Sequence, residues 1–202
     1  MKTKEINNNK KNILYTGKGD NGTTTLYHCD QGRISKSASI IEALGTIDEL
    51  NAYLGIIKVY SNTDKMLLKV GNKKVLYSRI IEEIQQTLFI IQAELGGANM
   101  SVGKKELKRI ENIINEIGKI LPPVKSFTIS GGSILSSSLD FARTLARKSE
   151  RRIVSVSEEG VKNIGNNTIS YMNRLSSVLF ALSRHSNYLL SIPESHPNYN
   201  KK

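Results

Sequence analysis

The sequence predicts an all-α protein built as a bundle of five helices. Apolar residues recur at steps of three and four along five separate segments, which is the spacing of one face of an α-helix. Strand signals are weak, because segment 125–129 is short and ends just before the double glycine 131–132. We interpret that segment as an extended entry to a helix rather than as part of a sheet.

The five apolar stripes define the helices in chain order. The first covers residues 40–57, and the second covers 77–95, where steps of four and three alternate for nearly three heptads. The third covers 107–117 and stops before two prolines, which cannot continue a helix. The fourth, 135–153, carries small residues that let a neighbouring helix approach closely, and the fifth covers 168–182. Antiparallel neighbours of this kind make a bundle, and the stripes are assigned to its core.

Length and composition favour a single domain. A chain of 202 residues is long enough to bury a sizeable core. Residues 1–12 are rich in Asn and Lys, which predicts a disordered N-terminal tail. Residues 193–202 have a similar composition and are expected to form a flexible C-terminal tail, so the helical domain is expected at 13–192.

Several features favour a cytoplasmic protein without a metal site. No apolar run reaches the roughly 20 residues that a membrane-spanning helix needs, and the N-terminus lacks the apolar segment of a secretory signal. The single cysteine, Cys29, excludes an internal disulfide and a cysteine-rich metal site. The three histidines, His28, His185 and His196, lack the spacing of metal ligands, so each is assigned to the surface or rim.

The net charge of +11 indicates an anionic partner without naming it. Nucleic acid, an anionic surface and a polyanionic small molecule such as ATP all fit this charge. The distribution of the basic residues is therefore more informative than their sum.

A glycine- and threonine-rich segment at 15–25 is the first candidate site. Glycines let backbone N–H groups approach an anion, hydroxyls donate to phosphate oxygens, and Lys18 adds a positive charge. The spacing of a Walker A loop is absent. Since Lys-Gly-Asp and Asp-Asn-Gly are also favoured turn sequences, composition alone leaves a phosphate loop and a pair of ordinary turns as alternatives.

A basic helix face after the double glycine is the second candidate site. Arg143 and Arg147 are four residues apart and Glu150 follows three later, so all three project from one face. Like charges at this spacing repel, and a bound polyanion or a carboxylate from another helix would relieve the repulsion. Arginine suits a triphosphate, because its planar fork holds two oxygens at once. A solvated helix face is the alternative.

The third candidate site is spread over two helices. Asp48 and Asn51 flank the first apolar stripe, and Asn173 and Arg174 flank the last. Such groups are costly to bury unpaired, which predicts specific partners for them. Pairing between helices and binding of a ligand remain equal alternatives.

Four segments, taken in order, resemble the ATP:cob(I)alamin adenosyltransferases of the propanediol-utilisation type. The resemblance runs from about residue 15 to 188, nearly the whole predicted domain. The segments are YTGKGDNGTTTL, GTIDELNAYLG, FTISGGSILSSSLDFARTLARKSERRIV and YMNRLSSVLFALSR.

The resemblance implies a homotrimer of five-helix bundles, with a ferritin-like up-down arrangement and active sites at the subunit interfaces. Asp48 would pair across the interface with Arg143, and Phe127 would lie beneath the corrin ring; these three residues are the implied catalytic set. Without the resemblance, a core position is the alternative for Phe127. The implied ATP-binding residues are Tyr15, Thr16, Gly17, Lys18, Gly22, Thr23, Thr24, Arg143, Arg147, Glu150 and Asn173.

The implied reaction moves the 5′-deoxyadenosyl group of ATP to cob(I)alamin. Reduced cobalamin is itself the nucleophile, so the protein supplies position and electrostatics. Mg²⁺ is expected with ATP, and a reductase and an adenosylcobalamin-dependent mutase are the expected protein partners. Three positions depart from the family pattern: Ser130 replaces a proline, Asp140 replaces a frequent histidine, and Lys148 replaces the second arginine of a pair.

Two other functions remain as alternatives. A basic helical protein could bind nucleic acid along residues 143–152, although the chain has no recognisable helix-turn-helix and few aromatics to stack bases. A bundle of the same fold could also bind ATP or cobalamin as a sensor or carrier without catalysis. Neither nucleic acid nor a membrane is the expected partner.

Overall fold

The structure is a computed structural model, and it describes residues 14–27 and 32–199. The predicted N-terminal tail, His28 and Cys29 lie outside these residues. Five helices and two short hairpins make up the described fold. In chain order the elements are β1 Thr23–Thr24, β2 Ile34–Ser35, α1 Ser39–Thr63, β3 Leu67–Val70, β4 Lys73–Leu76, α2 Tyr77–Leu95, α3 Lys104–Gly118, α4 Ile134–Glu158 and α5 Asn166–Leu189.

All five predicted helices are confirmed, and their apolar stripes form one core. Fully buried side chains include Leu50 and Leu54 of α1, Leu88 of α2 and Leu179 of α5. Each such side chain contributes about 1.5–3 kcal/mol through removal from water. The core therefore follows from the spacing of apolar residues along the chain.

Consecutive helices alternate in direction. Lys148 of α4 pairs with Glu49 of α1, and Arg152 pairs with Glu42, so α1 and α4 are antiparallel. The small-residue stripe of α4 lies on the same contact, where Ser149 Oγ donates to the carbonyl of Thr46 at 2.9 Å. The helices α3 and α5 pack side by side and run parallel, because both point the same way in the alternation.

The two hairpins were not predicted. The strands β1 and β2 pair over two residues each, and β3 pairs with β4 over four residues around Gly71 and Asn72. Glycine-asparagine is a favoured two-residue hairpin turn, so the sequence did carry a signal for the second hairpin. Leu68 is the fully buried residue of that hairpin and anchors it to the core.

The alternation of helix directions separates the loops into two ends of the bundle. One end holds the β3–β4 hairpin, the α3–α4 loop at 119–133 and segment 190–199. The other end holds the start of α1, with the β1–β2 hairpin beside it, and the end of α4. None of the helices in the described ranges is both long and apolar enough to cross a membrane.

Candidate active site

A cavity of about 560 Å³ opens between the α3–α4 loop, α4 and α5. It brings together Phe127 of the loop and the two arginines of α4, Arg143 and Arg147, which the sequence placed in one site. Two of the positions that depart from the family pattern, Ser130 and Asp140, also line it. The remaining lining residues are Val124, Lys125, Ser126, Thr128, Ser176, Ser177 and Phe180.

Phe127 is 78% exposed in the chain, so it is not a core aromatic. It lies in a loop without regular structure between the end of α3 and the start of α4. A large apolar side chain held in water costs free energy, and such exposure often marks a binding surface. The exposed ring next to a cavity is therefore available to a flat apolar ligand.

Segment 193–199 forms hydrogen bonds with the backbone of the loop that carries Phe127. The amide of Ile129 donates to the carbonyl of Ser195 at 2.8 Å, and His196 Nδ1 lies 2.9 Å from the carbonyl of Phe127. Arg184 of α5 pairs with Glu194 at 2.5 Å and donates to the carbonyl of Pro122 at 3.1 Å. These contacts tie both ends of the loop to α5 and to the C-terminal segment, whose predicted flexibility stays a prediction.

Four of the five basic residues of α4 divide between two surfaces, and the fifth, Arg151, is exposed and does not line the cavity. Lys148 and Arg152 form ion pairs with carboxylates of α1, so their positive charges have partners within the fold. Arg143 and Arg147 line the cavity instead, and Arg143 Nε lies 3.4 Å from Asp140 Oδ1. The pair at the cavity is thus the one placed to bind an external anion.

Glu150 and Asn173 connect α4 to α5 one turn beyond Arg147. Asn173 Nδ2 donates to Glu150 Oε1 at 2.8 Å, and Arg174 Nη1 donates to Asn173 Oδ1 at 2.7 Å. Arg174 also pairs with Glu111 of α3 at 3.4 Å. Pairing between helices, one of the two alternatives, is therefore seen here, while a role in binding ATP stays a prediction.

Asp48 is exposed on α1, and no hydrogen bond or ion pair of its side chain is present within residues 14–27 and 32–199. Its predicted pairing with Arg143 of another chain stays a prediction. Asn51 differs, since it is buried and its Oδ1 atom has no hydrogen-bond partner in the described part of the chain.

The glycine-threonine segment folds as a compact loop closed by Arg33. Arg33 donates to Thr23 Oγ1 at 2.7 Å and to the carbonyls of Lys18 and Thr23 at 2.5 and 2.7 Å. Asn21 Oδ1 accepts from the backbone and the hydroxyl of Thr23. Gly22 has a φ of +76°, a backbone angle that residues other than glycine rarely adopt. Turns are therefore present, which was the second alternative, and Lys18 is exposed beside them.

Of the other predicted residues of this loop, Tyr15, Thr16 and Gly17 are exposed and Thr24 is half-buried. Tyr15 is 81% exposed, Thr16 Oγ1 accepts from the amide of Lys18 at 3.4 Å, and Gly17 has a φ of +67°. Thr24 pairs with Ile34 in the β1–β2 hairpin.

The loop belongs to the end of the bundle where α4 finishes, whereas the two cavity arginines lie near the middle of α4. The loop is paired to residues just before α1, and the start of α1 contacts Glu159 at the end of α4. Arg143 precedes Glu159 by 16 residues, which is about 24 Å along a helix axis at 1.5 Å per residue. None of the loop residues lines the cavity. One chain therefore does not bring its own loop to its own Arg143.

The histidines differ from the prediction at one position. His196 is exposed at the surface, as expected, but His185 is only 2% exposed. His185 Nδ1 lies 2.5 Å from the hydroxyl of Tyr77, and burial lowers the pKa of His185. The prediction of a surface position for His185 is wrong, because residue 185 follows Leu182 by three positions and continues the apolar stripe of α5. Within the described ranges no cluster of three His, Cys, Asp or Glu side chains could hold a metal ion.

A smaller cavity of about 270 Å³ adjoins the first and begins at the double glycine. Asn187 Oδ1 accepts from the amide of Ser133, and Asn187 Nδ2 donates to the carbonyl of Gly131 at 3.0 Å. Gly132 has a φ of +105°, and a Cβ atom there would overlap the amide of Asn187. The double glycine therefore lets the start of α4 press against α5.

Known proteins resemble the chain over most of its length. It is 36% identical over 179 residues to the corrinoid adenosyltransferase PduO of Citrobacter freundii, covering 85% of this chain and 49% of that protein. It is 31% identical over 178 residues to a corrinoid adenosyltransferase of the same organism, covering 85% of this chain and 93% of the relative. The chain thus spans about half the length of the PduO relatives and nearly all of the shorter one.

Solved structures of the same kind of enzyme share the fold of the chain. A variant PduO-type ATP:corrinoid adenosyltransferase from Lactobacillus reuteri, complexed with cobalamin and ATP, superposes with a TM-score of 0.79 at 28% identity, covering 94% of this chain and 98% of that one. The sequence profile described as cobalamin adenosyltransferase matches residues 14–186. The chain therefore belongs to the cobalamin adenosyltransferase family.

Proposed function

We propose that the protein transfers the 5′-deoxyadenosyl group of ATP to cob(I)alamin, giving adenosylcobalamin and triphosphate. The observation that carries this proposal is the cavity lined both by Phe127, which is exposed, and by the two arginines Arg143 and Arg147. An apolar surface for a corrin and a cationic surface for a phosphate chain are the two halves that the reaction requires. The relatives that share this fold support it.

The reaction is a displacement at C5′ of the ribose. The cobalt(I) electron pair forms the Co–C bond while the C5′–O bond breaks, and the triphosphate leaves with that bonding pair. No general base is needed, because no proton has to be removed. Arg143, Arg147 and Lys18 would hold the negative charge that develops on the leaving triphosphate, which is where preorganised donors accelerate a reaction most.

We infer further that the active site is shared between chains of a homotrimer with the ferritin-like up-down arrangement. The start of α1, beside which the loop lies, is about 24 Å along α4 from Arg143 of the same chain, and no loop residue lines the cavity of that Arg143. A second chain would bring its loop to this cavity. Exposed Asp48 would then pair with Arg143, and Glu150 and Asn173 would extend the ATP-binding surface.

Phe127 would act on cobalt rather than on ATP. Cobalt(II) is reduced more easily when its lower ligand is absent, and an apolar ring against that face keeps a ligand away. The loop offers such a ring, since Phe127 is exposed at the cavity while its backbone is held by segment 193–199.

The expected partners stay proposals. The described residues offer no cluster of acidic ligands, so Mg²⁺ would be bound through the triphosphate and not by a protein cage. A reductase that supplies the electron, a mutase that receives adenosylcobalamin and a cytoplasmic location complete the proposal.

The test is adenosylcobalamin formation followed by absorbance, with ATP, cobalamin and a strong chemical reductant. We expect turnover that depends on all three components and yields one triphosphate per product. Binding of ATP and cobalamin without turnover would instead favour the sensor or carrier, and binding of neither would overturn the proposal.

A further inference from the structure

Asp140 is a buried carboxylate in the wall between the two adjoining cavities. It is 9% exposed and lines both the cavity of Phe127 and the smaller cavity at the double glycine. Its position departs from the family pattern, in which a histidine is frequent. A carboxylate is costly to bury unless it is paired, so its presence here calls for a specific partner.

That partner is Arg143, one turn further along α4. Asp140 Oδ1 lies 3.4 Å from Arg143 Nε, slightly longer than a usual N–H···O hydrogen bond, and the opposite charges add to the attraction. Within residues 14–27 and 32–199, neither Asp140 nor Arg143 forms any other ion pair. The contact engages Nε alone and leaves the two terminal nitrogens of the guanidinium for another ligand.

The position of Asp140 also relieves a local repulsion. Arg143 and Arg147 are like charges four residues apart on one helix face, an arrangement that is destabilising. Lys148 and Arg152 have carboxylates of α1 as partners, but Arg147 has no ion pair in the described part of the chain. A negative charge beside Arg143 lets both arginines stay at the cavity before any anion arrives.

We propose that Asp140 is a positioning residue, which holds Arg143 through the Oδ1–Nε contact so that its terminal N–H groups meet the leaving triphosphate. The inference rests on the proposed function, because it assigns a role within the same site. Asp140 carries the same charge sign as the triphosphate, so it does not bind ATP itself. Because Arg143 is proposed to act on the charge that develops on the leaving triphosphate, the contribution of Asp140 is expected more in kcat than in the binding of ATP.

The first experiment compares Asp140→Ala and Asp140→Asn. The alanine variant loses the contact, and we expect kcat to fall about tenfold while KM for ATP changes less than threefold. The asparagine variant keeps an oxygen that accepts from Nε, and we expect its kcat to lie within threefold of the unmodified protein. A kcat within twofold for Asp140→Ala, or an asparagine variant as slow as the alanine variant, would overturn the inference.

The second experiment asks whether Asp140 acts through Arg143. In an Arg143→Lys background, which lacks the Nε donor, Asp140→Ala should lower kcat no further. A further tenfold loss there would show an independent role and contradict the proposal. Glu82→Ala is the matched control, since Glu82 pairs with Arg79 at the same i,i+3 spacing on α2, outside the active-site cavity.

A third measurement separates this inference from the proposed function. In protein labelled with ¹⁵N-arginine, the Nε–H signal of Arg143 should exchange slowly with water and should lose this protection in Asp140→Ala. If the unmodified protein forms no adenosylcobalamin, the proposed function fails, whereas this signal still reports the contact. Equal exchange in both proteins would overturn the inference alone.

Discussion

His196 Nδ1 lies 2.9 Å from the carbonyl oxygen of Phe127 and 3.0 Å from the hydroxyl of Ser126. Since a carbonyl only accepts, Nδ1 must carry the proton and donate it to Phe127. The C-terminal segment thereby fixes the backbone of the residue whose ring stands at the cavity.

We expect Phe127→Ala to separate the two halves of the reaction. Removal of the ring should lower turnover from cob(II)alamin at least tenfold, because a lower ligand could then return to cobalt. Dissociation constants for ATP, measured by calorimetry, should change less than threefold, since the arginines are untouched. Phe89→Ala is the matched control, because Phe89 is 59% exposed and lies outside the described cavities. Equal loss of ATP binding and turnover would contradict the assignment.

The contact of His196 predicts a weaker defect of the same kind. His196→Ala should lower turnover from cob(II)alamin about three- to tenfold, because the loop loses one of its backbone bonds but keeps the one between Ile129 and Ser195. His196→Asn can still donate to the carbonyl and should recover most of the rate. Steady-state kinetics with ATP and with cobalamin varied in turn would check both; an alanine variant with unchanged rate would exclude the contact from function.

The helices and the two cavity arginines could be predicted from sequence for a physical reason. Burial of a helix face and the i,i+4 spacing of Arg143 and Arg147 are local properties, which a periodic pattern records directly. The loop around Phe127 is different, because its conformation depends on Arg184, Glu194 and segment 193–199, far away in sequence. Such contacts have no period, so neither the contacts of segment 193–199 with the loop nor the cavity beside Phe127 was predicted.

Two structural features that were not predicted, the burial of His185 and the β3–β4 hairpin, do have signals in the sequence. His185 continues the apolar stripe of α5, so its burial followed from spacing even though histidine is usually partly exposed. The β3–β4 hairpin followed from Gly71-Asn72 between two short apolar runs. By contrast, the ion pair of Asp140 with Arg143 needed the structure, since it depends on which face of α4 meets the cavity.

Mixing of two inactive variants should restore activity if the site is shared. Lys18→Ala removes the charge of the loop and Arg143→Ala removes the charge of the cavity, so each variant alone should lose at least tenfold in kcat. In randomly mixed trimers, about a quarter of the interfaces would join an intact loop to an intact cavity. We therefore expect about a quarter of full activity after the chains are unfolded and refolded together. Mixed trimers that form but stay inactive would place both residues in one chain's site.

Gly132→Ala should destabilise the start of α4. The new Cβ would overlap the amide of Asn187, and the φ of +105° is unfavourable for alanine, so a loss of about 1–3 kcal/mol is expected. For a chain of this length that is roughly 2–12 °C in Tm, measured by calorimetry. Gly118→Ala is the control, because nothing lies within 4 Å of a Cβ built at Gly118. Equal melting of both variants would show that the close approach carries no cost.

The free energy of unfolding should decrease as the pH is lowered below about 6.5, the ordinary pKa of histidine, because of His185. Burial lowers its pKa in the folded chain, so the unfolded chain binds the proton first as the pH falls. The neutral ring thus stabilises the fold above the unfolded pKa, and this stabilisation is lost as the pH drops toward the folded pKa. The slope cannot exceed about 1.4 kcal/mol per pH unit for one proton.

Two carboxylates act in a lower range and do not obscure this effect. A hydrogen bond from Lys119 lowers the pKa of Glu116, and one from Ser39 lowers the pKa of Glu159, so their contributions are lost only below their ordinary value of 4.5. The measurement is urea unfolding from pH 7.5 to 5. His185→Gln should abolish the slope between pH 6.5 and 5 even if it lowers the stability throughout, because glutamine cannot take up the proton. A slope that survives in His185→Gln would assign it to another group.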